Sequence, residues 1–279
     1  MMDQQPDNTA IRTALWRAFH TQADAEPYIL EDTVGLQLIA PEEGWQERPD
    51  IKYTQRLRAS VVARSRYIED IITTEIQKGT DQYVILGSGL DTFAQRNPDI
   101  TSKIQIFEID QPDTLAWKQK RLSETGFHIP ENLHFVPVNF EKSSWWEQLL
   151  KAGFNIHKPA VIACTGVTLY LTRSTIKETL QHMVSLTVGS VVAISFYLPV
   201  ELLEKEDQPM QEMANKGAQQ AGTPFISFFS PEEVIAIAKE SGLKNTNLVS
   251  TEDIKDLYFK NRTDGLSPAS GEVFLLARI

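Results

Sequence analysis

The chain has a single cysteine, Cys164, among 279 residues. That excludes an internal disulfide and any zinc site built on several thiolates. Cys164 lies inside an apolar run, so it reads as a buried inert thiol rather than a nucleophile. The five histidines, His20, His128, His134, His157 and His182, are scattered without ligand spacing, and no metal is expected. No apolar stretch approaches the ~20 residues that cross a bilayer. The opening "MMDQQPDNTA" is too polar and acidic for a secretory signal. A soluble, cytoplasmic chain without a membrane partner is expected. Basic charge is scarce relative to acid, with a formal net charge of -10. Such a chain repels phosphate backbones, which argues against a nucleic-acid partner. Internal repeats and low-complexity linkers are also lacking, so a single domain over 1–279 is expected.

Hydrophobic periodicity divides that domain into four parts. Residues 1–79 read as a helical N-terminal lid. "TALWRAFHTQADA" places Leu15, Trp16 and Phe19 at helical spacing, and "YTQRLRASVVARSRYIEDIITTEIQKG" gathers Leu57, Val61, Ile68, Ile71 and Ile72 on one side. Residues 80–199 read as a core of alternating strands and helices. "QYVILG", "KIQIFEID", "NLHFVPVNF" and "SVVAISFYLP" are strands, and "PAVIACTGVTLYL" is a strand that runs into a loop. The helices between them carry start signals at Pro112 and at Ser143 or Ser144, and "TRSTIKETLQHMVSLT" reads as a further helix. This alternation implies a parallel sheet covered on both faces. Residues 200–227 read as an inserted helical cap. Residues 228–279 add a helix and strand in "SPEEVIAIAKESGLKNTNLVS", with Ser230 as the helix cap, a helical "TEDIKDLYFKN" and a final strand "GEVFLLARI" positioned to pair antiparallel.

In an open parallel sheet, ligands bind beyond the carboxyl ends of the strands. That rule selects Gly87-Ser88-Gly89-Leu90-Asp91, Glu108 to Asp110, Asn139-Phe140 and Thr165-Gly166-Val167-Thr168. Gly87 and Gly89 would let the backbone turn tightly and approach a ligand closely. The third glycine of G-x-G-x-x-G is missing, since Thr92 stands there, and no P-loop pattern occurs. Asp91 would repel phosphate at this loop. A cofactor with an amino group and no phosphate fits better, and S-adenosyl-L-methionine is one. Asp110, about twenty residues after the glycines, is placed to accept hydrogen bonds from a ribose diol, with Glu108 as the alternative. Tyr170 and Tyr197, at or after strand ends, are candidates for an acceptor pocket or for packing.

These residues resemble a known family. "ILGSGLDTFAQR", "FEIDQPDTLAWKQKRL", "VPVNF" and "GVTLYLTRSTIKETL" look like the bacterial branch of the leucine carboxyl methyltransferases, class I S-adenosylmethionine-dependent enzymes. "VVARSRYIED", "GTPFISFFSPEEV" and "NRTDGL" extend the likeness over nearly the whole chain. It implies a Rossmann-like α/β fold of seven mostly parallel strands with the last antiparallel. It also implies that Arg64 pairs with the cofactor's methionine carboxylate through a bidentate fork. Gly87, Ser88 and Gly89 would pass under the methionine and ribose, Asp91 would help hold the amino group, and Asp110 would bind the ribose. Asn139 and Phe140 would flank the adenine, and Thr165 would open the loop on the sulfonium side. Arg262 and Asp264 match a late motif, as a substrate contact or a structural ion pair.

Three letters depart from the family pattern. Asn139 stands where an Asp is usual, Phe93 where an Arg follows "LDT", and Thr165 where the eukaryotic members carry Glu. The last points away from a phosphatase-tail substrate and toward a small-molecule acceptor. No general base stands out, which favours transfer to a carboxylate or an acidic hydroxyl. The alternatives are an accessory protein that binds cofactor without turnover and a nicotinamide-dependent dehydrogenase. Neither the acceptor nor the oligomeric state is legible in the sequence.

Overall fold

The computed structural model describes residues 6, 8–140 and 143–279. Five of the seven strands are parallel neighbours: β1 (Gln82–Leu86), β2 (Gln105–Asp110), β3 (Leu133–Pro137), β4 (Ala160–Cys164) and β5 (Val191–Tyr197). β6 (Asn245–Val249) and β7 (Glu272–Arg278) complete the sheet, in the order β3-β2-β1-β4-β5-β7-β6. All seven strands read from the sequence are present. β7 runs antiparallel to its two neighbours, β5 as well as β6. The strand order reverses between β1 and β4, so the crevice at their carboxyl ends is where a ligand belongs in such a sheet.

The apolar runs of β1 and β4 are buried along their whole length because both faces are covered. Alternate residues feed two cores. Val84, Leu86, Ile162, Cys164 and Ile194 face one side, where Ile176, Leu180, Met183 and Ile237 pack on them. Tyr83, Ile85, Ile106, Ala163 and Phe274 face the other, against Val62, Ile68 and Ile72 of the Gln55–Gln77 helix. Each fully buried Ile or Leu contributes roughly 1.5–3 kcal/mol of transfer free energy. Local signals fix the helix starts. Ser144, rather than Ser143, caps the Trp145–Lys151 helix, and Ser230 and Ser250 form capping boxes with Glu233 and Asp253.

The N-terminal helix Asn8–Ala23 packs on Gln55–Gln77 through Leu15, Trp16 and Val61. Its first turn reaches the crevice, where Ala10 faces Gly89 and Thr9 meets the Tyr170 hydroxyl. The Gln208–Gln220 helix has no buried residue and lies on the outside of the fold. It is tied down at both ends. Before it, buried Asp207 takes Arg56 Nε at 2.6 Å and Nη2 at 2.8 Å, and also the Ser270 N–H and hydroxyl. After it, the Ile226 N–H donates to the Leu169 carbonyl and Ser227 Oγ to that of Leu171.

Candidate functional site

The loop after β1 is built by its two glycines. Gly87 has φ +71° and Gly89 φ +50°, both in the left-handed region where a Cβ is strained. A Cβ on Gly87 would also lie 2.3 Å from Val167 Cγ2, in the loop after β4. The N–H groups of Gly87 and Ser88 donate to the Ile109 carbonyl at 2.8 and 3.1 Å, continuing the pairing with β2 past the strand end. Asp110 then locks the loop. Its Oδ2 accepts the Gly89 N–H and its Oδ1 the Gln111 N–H, each at 2.7 Å.

Asp91 accepts the Phe93 N–H on Oδ1 at 2.8 Å, starting the short Phe93–Arg96 helix. Its other oxygen has no hydrogen bond among the described residues. Beneath the loop, Asp32 is fully buried and receives Arg17 Nε at 2.6 Å, Thr92 Oγ1 at 2.7 Å and the Val34 N–H at 3.1 Å. Arg17 also donates to the Leu90 carbonyl. Burial would raise the pKa of Asp32, but the charges of Arg17 and Arg96 and the bonds from Arg17 and Thr92 hold it below the usual carboxylate range. Phe93, the departure from the family's arginine, is 1% exposed and packs edge-to-face on Tyr83 with ring centroids 5.3 Å apart. An apolar ring suits that pocket.

On the far side of the crevice, Arg64 projects from the Gln55–Gln77 helix. Its Nη1 donates to Tyr197 Oη at 2.7 Å and to Glu272 Oε1 at 3.1 Å, and the tyrosine hydroxyl donates to the same carboxylate oxygen at 3.1 Å. Burial would weaken the guanidinium charge, but Glu272 and Tyr197 keep its pKa above the ordinary arginine value. Burial pushes the Tyr197 phenol well up, with Arg64 opposing. Gly166, with φ +73°, faces the guanidinium, and a Cβ there would sit 3.4 Å from Nη2. The Gly166 N–H is itself held by Ser195 Oγ at 3.0 Å.

The other expected residues divide. Asn139 and Phe140 follow β3, half-buried, and the Phe140 ring packs on the larger core. Thr165 follows β4, also half-buried. Ser88 Oγ is buried with no partner among the described residues. Arg262 is engaged elsewhere: it forks onto Asp264 and donates to the carbonyls of Ala25 and Pro27, pinning the turn after the N-terminal helix. Its contacts are those of a structural ion pair, the second of the two roles open in the sequence. Glu108, the alternative to Asp110, is fully buried and paired with Lys118, so it has no exposed surface to offer a ligand. Cys164 is buried, which pushes its thiol up to about 12. Sequence reasoning missed Glu272 and Asp32. Their partners lie far along the chain, and no local spacing signals them.

The site fits S-adenosylmethionine on three observations: a glycine loop fixed by Asp110, a buried Ser88 hydroxyl with no partner among the described residues, and Arg64 held by Nη1 with no hydrogen bond on Nε or Nη2 among the described residues. Among the described residues no His, Cys, Asp and Glu group could hold a metal, and no helix is long and apolar enough to cross a membrane.

Comparison with known proteins agrees. The family model described as leucine carboxyl methyltransferase matches residues 10–184. The chain is 30% identical to Bacillus subtilis YktD, named as an S-adenosyl-L-methionine-dependent methyltransferase, over 96% of both chains. A Mycolicibacterium smegmatis protein of the same description is 28% identical over 80% of this chain and 73% of its own. Among solved structures, a Thermobifida fusca protein titled as a methyltransferase superposes with TM-score 0.62 at 16% identity, covering 98% of this chain and 95% of that one. A Streptomyces avermitilis protein does so with TM-score 0.60 at 12% identity, covering 98% and 97%. A seven-stranded sheet of this order, a glycine loop locked by the acid after β2, and a family match over more than half its length together make this chain a member of the leucine carboxyl methyltransferase family of S-adenosylmethionine-dependent methyltransferases.

Proposed function

We propose that this methyltransferase transfers its methyl group to an oxygen of a small molecule, a carboxylate or an acidic hydroxyl. The bound cofactor supplies an activated methyl on a sulfonium. The chain's own work is to hold two reactants in line and exclude water. Asp110 takes the ribose hydroxyls while it fixes the loop, and Arg64 takes the methionine carboxylate. Asp91 takes the ammonium on its second oxygen. Asn139 and Phe140 flank the adenine, and Thr165 with Gly87 to Gly89 lines the path of the donor group. The N-terminal helix and the 200–227 segment close the acceptor side, with Tyr170 and Phe225 as its aromatic wall, their rings in edge-to-face contact at 5.4 Å.

The observation that carries the oxygen reading is the state of Tyr197. Its proton is committed to Glu272 and its pKa is raised, so it is no base at neutral pH. An acceptor that arrives already ionised needs no base. The test has two parts. Calorimetry with S-adenosylmethionine should show binding, weakened by ~1–3 kcal/mol in Arg64→Ala and in Asp110→Ala. A methyl-transfer assay over a panel of carboxylates, phenols, amines and thiols should then give esters or ethers. Turnover confined to amines or thiols would refute the oxygen reading, and unchanged affinity in both variants would refute the placement of the cofactor.

A further inference from the structure

An arginine that binds a ligand carboxylate through two parallel bonds must present a defined edge. A free guanidinium on a long side chain samples many orientations, and fixing it costs side-chain entropy at the moment of binding. Arg64 does not have that freedom. Its Nη1 is bonded to Tyr197 Oη and Glu272 Oε1, from the last residue of β5 and the first of β7. These two are directly opposite one another in the antiparallel pair. Tyr197 is also bonded to Glu272, so the three side chains close a ring of hydrogen bonds. Only 13% of the Arg64 side chain and 8% of that of Glu272 are exposed. Among the described residues, no hydrogen bond uses Nε or Nη2 of Arg64. Gly166, in the loop after β4, lies over the face of the guanidinium: a Cβ there would stand 3.4 to 3.5 Å from Nη2, Cζ and Nη1, in contact with the plane and clear of its Nε–Nη2 edge.

We propose that Glu272 is a positioning residue: with Tyr197 it holds Arg64 by Nη1 so that the Nε–Nη2 edge is presented to the amino-acid carboxylate of the cofactor. This rests on the reading of Arg64 given above. Glu272 does not touch the cofactor. It neutralises the guanidinium while the site is empty of ligand charge, so that Arg64 stays folded into the crevice wall. It also uses the one nitrogen that a bidentate contact along the Nε–Nη2 edge does not need. When the ligand carboxylate docks, two carboxylates share one guanidinium, and the ligand's own ammonium balances the second.

The experiment compares two ligands that differ in the amino-acid tail. S-adenosylhomocysteine carries it, and 5′-methylthioadenosine has the same nucleoside and sulfur without it. Calorimetry on the whole chain and on Glu272→Ala should show the Kd for S-adenosylhomocysteine raised about tenfold, as for one lost charge-assisted contact. The Kd for methylthioadenosine should stay within about twofold, below ~0.5 kcal/mol. Glu272→Gln, which keeps an acceptor for Nη1 and the tyrosine, should recover most of the loss. Tyr197→Phe should give the same selective loss in smaller measure. If Glu272→Ala does not fold, Glu272→Gln and Tyr197→Phe carry the test, with a selective loss in Tyr197→Phe still required. Equal weakening of both ligands would mean a structural role only, and unchanged or tighter binding of S-adenosylhomocysteine would mean that Glu272 competes for Arg64. Either result overturns the proposal. Failure of the underlying reading looks different: the unaltered protein binds neither ligand, or Arg64→Ala binds S-adenosylhomocysteine as well as the unaltered protein does.

Discussion

Gly87→Ala separates the two reasons for a glycine in the loop after β1. The first is conformational: at φ +71° an alanine pays about 1–2 kcal/mol for its Cβ against the following carbonyl. The second is steric. The added Cβ would fall 2.3 Å from Val167 Cγ2, whereas carbon atoms settle at about 3.5–4.0 Å, so one side must yield by roughly 1 Å or more. Overpacking of that kind costs about 1–3 kcal/mol. The single variant should therefore lose about 2–5 kcal/mol in urea denaturation followed by circular dichroism, and its S-adenosylmethionine affinity should fall with the displaced loop. Val167→Ala alone should lose about 1 kcal/mol. In the double variant the obstructing methyl is gone and only the dihedral strain remains. It should be more stable than the sum of the singles implies by about 1–3 kcal/mol, a coupling that a cycle measures directly. Strict additivity would refute the clash. A Gly87→Ala protein as stable as the parent would refute both terms.

Three further outcomes follow from buried groups. Burial raises the pKa of Glu108 although Lys118 opposes it, so this group's contribution is full below pH ~4.5 and is lost as pH rises through its folded pKa. Lys118→Met should cost about 3–5 kcal/mol at pH 8, while Glu108→Leu combined with Lys118→Met should be near neutral; denaturation curves at pH 5 and pH 8 check both the sign and the pair. Asp32→Asn should cost about 3 kcal/mol at neutral pH. Because the Asp32 pKa is depressed, that stability is present above the unfolded value and disappears as pH falls through the folded one, so parent and variant should converge in acid. Cys164 should resist a thiol reagent at pH 8 in the native protein and react at once in denaturant; rapid native labelling would contradict its burial.

What was legible depended on the range of the interaction. Strands and helices follow from local periodicity, and all seven strands were read, the fourth without a defined end because its segment runs on into the loop. The glycine loop and Asp110 were legible because strand ends announce themselves and the sheet rule collects them. Ser230 was legible as a cap because its partner is three residues away. Phe93 was not, because the ring beneath it, Tyr83, lies on a strand whose facing is set only once the sheet is assembled. Asp32 lies 60 residues from Thr92 and Glu272 lies 208 from Arg64, distances over which no spacing rule operates. Arg262 matched a family motif that two roles could explain, and its bonds to the carbonyls of Ala25 and Pro27 had no sequence signature.

The position of β7 has a consequence for how the molecule comes together. It follows β6 in the chain but lies between β5 and β6, so β6 has no strand to bond until β7 arrives. During synthesis the five parallel strands can zip in order, leaving the β5 edge open as a template for stray pairing. The first residue of the strand that seals this edge is Glu272. The carboxylate that meets Arg64 thus arrives with the stroke that closes the sheet, and a nascent chain halted before β7 holds an unmatched guanidinium beside an unprotected edge. Maturation of the cofactor crevice and protection from aggregation are one event on the assembly line.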